Sequence, residues 1–230
     1  MLVEWRIKRK LEEKTANCQF LLKFAQERLL KNFDSFKIWE RLQEILEFWH
    51  YLDYRIDSKK EVSFYLKFLR KKLQPVVKIC RFIATYKKGN ICFTFSECFC
   101  PEVFTLNFKE KRNFSFDYLG GAPFFDILNE DLMDKKIDSN HFYCLLNLTA
   151  NNKEKTYIEK IPLIGLDLYC VWRFLYFILP GLSPDRFAFC EICQRVMYKF
   201  KKGDKYCSRA CSQKAYRMRK KQEISNKTPF

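Results

Sequence analysis

The sequence predicts an α+β fold: a helix-rich N-terminal domain with a small antiparallel sheet, followed by a short cysteine-bearing unit. Three observations carry this. Up to Pro75 apolar side chains recur every three or four positions; over residues 91–118 they alternate instead; and from Cys190 onward cysteines gather in two close pairs.

Composition sets the outer bounds. Hydrophobic residues make up 48% of the 230, with 24 Phe and only 6 Gly, which supplies a real core and excludes global disorder. The formal net charge of +16 favours a polyanionic partner, nucleic acid or an anionic membrane surface. The opening MLVEWRIKRKLEEK mixes both charge signs and lacks the apolar core of a secretory signal, so a cytoplasmic protein is expected. In a reducing compartment eleven cysteines read as buried hydrophobes and a metal site, not as a disulfide framework. The apolar run Ile161 to Leu182 is broken by Asp167 and Arg173. A charge at a bilayer centre costs about 2.5 to 3.5 kcal/mol on insertion scales, so a buried helix is expected there and no membrane span.

Residues 16–32 place Phe20, Leu21, Phe24, Leu29 and Leu30 near one helical stripe. Asp34 and Ser35 are suited to cap a second helix bearing Ile38, Leu42, Ile45, Leu46 and Trp49. Ser58 and Glu61 form a capping box before Val62, Phe64, Tyr65, Phe68 and Leu69, and Pro75 is expected to end or kink that third helix. After the turn signal Lys88-Gly89-Asn90 the pattern around Phe93, Phe95, Val103, Phe104, Leu106, Phe108, Phe114 and Phe116 predicts three or more antiparallel strands. Residues 123–150 read equally as helices or as a further strand at LLNLT, and Ile164 to Leu179 returns to helix before Pro180-Gly181. The expected divisions are a mixed domain at 1–184, a metal-binding unit at 185–222 and a flexible tail at 223–230.

From Cys190 the spacing is C-x2-C, thirteen residues, then C-x3-C, giving Cys190, Cys193, Cys207 and Cys211. Two close pairs separated by a short hairpin, its turn at Lys202-Gly203-Asp204, can supply the four tetrahedral thiolates that zinc prefers. A unit this small scarcely holds together unstapled. Four cysteines close the coordination shell, so one structural Zn2+ per chain is expected, with Cys211 in the first turn of a helix starting near Ser208 and the whole resembling a treble clef. Four thiolates on one divalent ion leave a charge of −2, which Arg195, Lys205 and Arg209 stand near enough in sequence to offset. Cys18, Cys80, Cys92, Cys98, Cys100, Cys144 and Cys170 sit in apolar or strand-like surroundings and read as small buried hydrophobes.

The stretch FCEICQRVMYKF, the following KYCSRAC and the basic YRMRKK together resemble the CGNR zinc finger found at the C-terminus of bacterial ABATE-domain proteins, grouped as stress-related transcription regulators. The resemblance covers residues 187–221. The signature Cys-Gly-Asn-Arg is here Cys211-Ser212-Gln213-Lys214. It implies transcription regulation through DNA binding by the finger. A related C-x2-C plus YCS-x2-C finger occurs in mobile-element and phage proteins.

Residues 186–222 hold twelve Lys or Arg against Glu191 and Asp204, ten of the sixteen net positive charges. On the final helix Cys211, Ala215, Met218 and Gln222 are expected to share the packed face, with Lys214, Arg217 and Lys221 on its flank and Arg219 and Lys220 elsewhere. The candidate nucleic-acid contacts are therefore Arg195, Lys199, Lys201, Lys202, Lys205, Arg209, Lys214, Arg217, Arg219, Lys220 and Lys221. Tyr206 and Tyr216 are read either as stacking platforms for bases or as covers over the metal core. DNA is the favoured partner, with RNA open, and a protein-interaction adaptor with a purely structural finger is the alternative. The N-terminal domain would then sense a small ligand or a protein partner. An enzyme is not expected. The carboxylates Asp53, Asp57, Glu97, Glu102, Asp117, Asp126, Glu130 and Asp131 form no recognisable pair with a nucleophile or with His50 or His141.

Overall fold

A computed structural model describes residues 2–26, 34–46, 58–86, 90–96, 103–107, 143–149, 156–162 and 166–225. The carboxylates and both histidines named above lie outside these residues, as do Cys98, Cys100, Leu29, Leu30, Trp49, Phe108, Phe114 and Phe116.

Helix α1 (Leu2–Gln26) starts well before the expected stripe; its residues Lys8 to Glu13 are exposed, and from Thr15 onward it contributes to the core. Cys18, Leu21, Leu22 and Ala25 form the buried stripe, at three- and four-residue spacing. Helix α2 (Ser35–Leu46) buries Ile38, Leu42, Ile45 and Leu46 as expected, and the Asp34 side chain accepts from the Phe36 amide at its start. Helix α3 (Lys59–Lys72) begins on Ser58, whose Oγ accepts from the Glu61 amide at 3.2 Å. Its buried face is Val62, Leu66 and Leu69; Phe64 and Phe68, expected on that stripe, are exposed. Their rings fall a turn's fraction to the side, since Val62, Leu66 and Leu69 already complete the 3.6-residue repeat.

Pro75 ends α3 and opens a helix that the pattern reading did not separate, α4 (Gln74–Thr85). A proline lacks the amide that would continue α3 but suits a first helical turn. Pro75, Val76, Val77, Ile79, Cys80, Phe82, Ile83 and Ala84 are all buried, so α4 is apolar nearly all round and occupies the centre.

The sheet is antiparallel throughout: β1 (Asn90–Ser96), β2 (Val103–Asn107), β3 (Tyr143–Thr149) and β4 (Thr156–Pro162), in the order β2-β1-β3-β4. LLNLT is thus a strand, with Leu146 opposite Phe93, and the start of the apolar run Ile161 to Leu182 belongs to β4. Helix α5 (Leu166–Arg173) follows and passes into one π-helical turn at Phe174–Ile178, closed by the Leu179 amide on the Phe174 carbonyl at 2.8 Å. The charges in this run are accommodated: Asp167 pairs with Lys72 of α3 at 3.3 Å, and the Arg173 guanidinium lies over the Phe177 ring at 3.8 Å. Gly181 turns the chain at φ +84, a conformation that favours glycine. No described helix is long and apolar enough to cross a membrane.

The last part begins with a 3-10 turn (Pro184–Arg186), then the hairpin β5 (Phe187–Phe189) and β6 (Val196–Tyr198) and helix α6 (Arg209–Ser225). Residues 223–225, expected in a flexible tail, continue that helix. The expected boundary at residue 184 runs through shared packing. Phe187, Val196 and Tyr198 belong to the same buried cluster as α1 to α4, and the Phe187 and Tyr198 rings meet edge to face at 4.9 Å. The outer edge of β6 is occupied by a side chain: the Gln26 carboxamide accepts from the Val196 amide at 3.1 Å and donates to the Val196 carbonyl at 2.8 Å, as a neighbouring strand would. Gln19 donates to the Tyr198 carbonyl at 2.9 Å, and Lys14 to the Pro180 carbonyl at 3.0 Å.

Hairpin and helices should therefore unfold together. Phe187→Ala is expected to cost about 3 to 5 kcal/mol, and Gln26→Ala about 1 to 3 kcal/mol by leaving the Val196 amide and carbonyl unpaired. Urea denaturation followed by helix content and by NMR signals of the Val196 and Tyr198 amides should show one coincident transition in the parent. Two separated transitions would mean that residues 1–184 fold on their own.

Candidate metal centre

The four sulfurs are delivered by two local structures. Cys190 leaves β5 into a tight turn that returns to β6: the Cys190 amide donates to the Arg195 carbonyl at 2.9 Å and the Gln194 amide to the Cys190 carbonyl at 2.9 Å. Gln194 carries the turn at φ 55, in the left-handed region. Cys193 lies within this turn, so the hairpin lies at the first cysteine pair and not, as the sequence suggested, between the pairs. The 199–206 segment forms its own turn, where the Asp204 carboxylate accepts from the Lys201 amide at 2.8 Å and the Asp204 amide donates to the Lys201 carbonyl at 3.1 Å. It returns beside the first turn, with the Glu191 amide on the Lys205 carbonyl at 3.1 Å and a 3.5 Å Lys205–Glu191 ion pair. Ser208 then caps α6 through the Cys211 amide at 3.3 Å, bringing Cys207 and Cys211 to the same point.

All four sulfurs lie within 4.8 Å of one another. Cys193 and Cys207 are 3.4 Å apart, and Cys207 and Cys211 are 3.7 Å apart. Zinc–sulfur bonds of about 2.3 Å in a tetrahedron give sulfur–sulfur edges of about 3.8 Å. The donor set therefore fits a tetrahedral thiophilic ion, and the group could hold one metal. Cys190 is fully buried and the other three are half-buried, a closed arrangement with no non-cysteine donor among them.

The electrostatics favour charge at this point. Burial raises the Cys190 thiol, but backbone amides of Cys193, Cys207 and Ile192 directed at its sulfur, the Cys207 amide at 3.4 Å, bring it down to about 6. Once that thiolate forms, a second is opposed. Burial first, then the neighbouring Cys193, Cys211 and Cys190 sulfurs, hold the Cys207 thiol well above its ordinary value, and burial likewise raises Cys193. A divalent cation removes this conflict by neutralising the sulfurs together. By contrast Cys18, Cys80 and Cys170 are fully buried in the core with thiols raised by burial, as expected of small hydrophobes.

The candidate cations separate into three settings. Arg195 and Lys199 flank β6 and are half-buried; the Arg195 amide is directed at the Cys193 sulfur. Lys201, Lys202 and Lys205 are exposed on the turn. Arg209, Lys214, Arg217, Arg219, Lys220 and Lys221 are exposed on α6. Of the face expected to pack, only Ala215 is buried and Cys211 half-buried; Met218 and Gln222 are exposed, as is every residue from Tyr216 to Ile224. A helix of 17 residues extends about 25 Å, further than so small a unit can cover. At 100° per residue Arg209, Lys214, Arg217, Lys220 and Lys221 fall within an arc of about 140°, centred roughly 150° from the side marked by Cys211 and Ala215. Arg219 lies outside that arc. Tyr216 does not cover the metal core: its ring is exposed, with the Lys220 ammonium 5.3 Å from its centroid. Tyr206 is half-buried beside Cys207. Pattern reading missed Gln19 and Gln26, which hold the hairpin to α1; their signal was two glutamines seven residues apart beside an apolar stripe.

No family model, curated protein or solved structure matches this chain.

Metal loading at neutral pH should release protons from Cys193 and Cys207, whose thiols are raised, while Cys190 contributes little above its value of about 6. Apparent affinity should accordingly rise with pH near pH 7, by at least about a hundredfold per unit from the two protons these thiols release. Chelator competition at several pH values, with proton release in weak buffer, measures this. Cys207→Ser, Cys211→Ser protein should lose the metal by elemental analysis; equal metal in both preparations would remove the assignment.

Proposed function

We propose that this chain is a zinc-dependent nucleic-acid-binding protein in which a treble-clef-like four-cysteine finger presents α6 to DNA. The supporting observation is the exposed run Tyr216 to Ile224, with five cations of α6 on the arc facing away from the metal-bearing side. When bound, zinc would join the turn after β5 to the first turn of α6 and so set the direction in which the basic arc points. The transcription-regulator role implied by the likeness to CGNR fingers fits this division, the helical part supplying a rigid base for the reading helix. Zinc is preferred among metals because the donors are four cysteines in a tetrahedral cluster with no open position.

A second reading draws on Tyr216, Met218 and Ile224, large apolar side chains exposed on the same helix. They suit a protein partner, with the finger purely structural. Salt separates the two, because phosphate contacts release counterions. Lys214→Gln, Arg217→Gln, Lys221→Gln protein should retain its metal, bind duplex DNA more weakly and show a log–log salt slope shallower by about 0.9 per residue replaced. Titrations across a salt series by fluorescence anisotropy measure it. Parent-like binding by the triple variant at every salt concentration would move the contact surface away from α6.

A further inference from the structure

A cleft of about 380 Å³ lies at the seam between α1 and β6, against the metal-bearing loop. Phe20 and Lys23 line it from α1, Arg195 and Lys199 from either end of β6, and Asp204 and Tyr206 from the loop. Its size is near the lower end of small-ligand sites, about 300 Å³, enough for one ring system with its substituents. Among the described residues lining it, three cations accompany one carboxylate; that carboxylate is already engaged by the Lys201 amide, and the Lys199 ammonium reaches the Lys202 carbonyl only at 3.5 Å. The cleft therefore selects for negative charge, while the half-buried rings of Phe20 and Tyr206 offer flat apolar surface beside it.

Two further features narrow the occupant. Among the described residues lining the cleft, Lys23 is exposed and Arg195, Lys199 and Asp204 are half-buried, so these cations are open to a passing phosphate backbone and not sealed in a closed pocket. Asp204 and Tyr206 also line a second, shallower depression, formed with Ser208, Arg209 and Ser212 at the start of α6. The cleft thus adjoins, across Asp204 and Tyr206, the first turn of the basic helix.

We infer that this seam seats one unpaired nucleotide of a nucleic-acid strand, its base between Phe20 and Tyr206 and its phosphates on Lys23 and Lys199, with the strand continuing onto Arg209 and α6. The inference rests on the nucleic-acid reading and extends it to a residue of the helical domain. Within a duplex each base is covered on both faces by its neighbours, so only an unpaired nucleotide can place its ring against these side chains. Stacking on aromatic rings beside a cationic path is how strands are held without sequence preference.

The test uses the full zinc-loaded chain with three probes: a single-stranded oligonucleotide of about ten residues, a duplex of the same sequence, and a free mononucleotide. Lys23 is exposed on α1 and is not one of the four cysteine ligands, so Lys23→Glu should fold and bind zinc as the parent does, which elemental analysis checks. It is expected to lower single-strand affinity by about tenfold, with Lys199→Gln lowering it less and the loss smaller on the duplex. Cross-linking of a photoreactive base to Phe20 or Tyr206 is the second readout. Parent-like single-strand binding by both variants, or a mononucleotide bound as tightly as the oligonucleotide, would overturn the proposal. The triple variant of α6 keeps the two readings distinguishable: a loss with Lys23→Glu but none with the triple variant supports the seam and removes α6, and parent-like binding by Lys23→Glu and Lys199→Gln beside a loss in the triple variant removes the seam alone.

Discussion

The structure depends on the burial of α4 on nearly every side. Eight of its twelve residues are buried, and the hairpin β5–β6 supplies part of their cover together with α1, α3 and α5. A helix with so little polar surface has no stable exposed state, so the elements around it are bound into one packing problem. Phe187 illustrates the consequence: it opens the metal-bearing part in sequence, yet its side chain is fully buried in the helical core.

This arrangement gives the cysteine cluster a firm base on one side and freedom on the other. Cys190 emerges from a strand whose partner is paired by Gln26, so the first cysteine turn is anchored to α1 through backbone groups. The second pair begins a helix that leaves the body after Ala215. The sulfurs join a fixed element to a projecting one. A metal at that junction would fix the angle between them by bonding sulfurs from both elements at once.

Much of the helical part was legible because its signals are local. Ser58 and Glu61 mark a helix start that needs nothing from elsewhere, and the stripes of α1 and α2 repeat within a few turns. LLNLT was legible only as an alternative, since a short apolar run serves strand or helix alike; pairing with Phe93 and its neighbours in β1 settled it as β3. The spacing of Met218 and Gln222 from Cys211 predicts a packed face, but spacing says which residues share a side and not whether anything lies against it.

The sequence by itself determined the four cysteines, the turn before the second pair, the helix beginning at Ser208 and the concentration of cations behind it, because ligand spacing, turn chemistry and capping act over a few residues. Only the tertiary structure decided that Phe187 and Tyr198 complete the core of distant helices, that Gln26 takes the place of a strand beside Val196, and that α6 stands clear after Ala215. Those outcomes depend on which surfaces meet across about 170 residues of chain, and burial of apolar area is non-directional: it rewards any partner that fits and leaves no mark in the local pattern to say which one does.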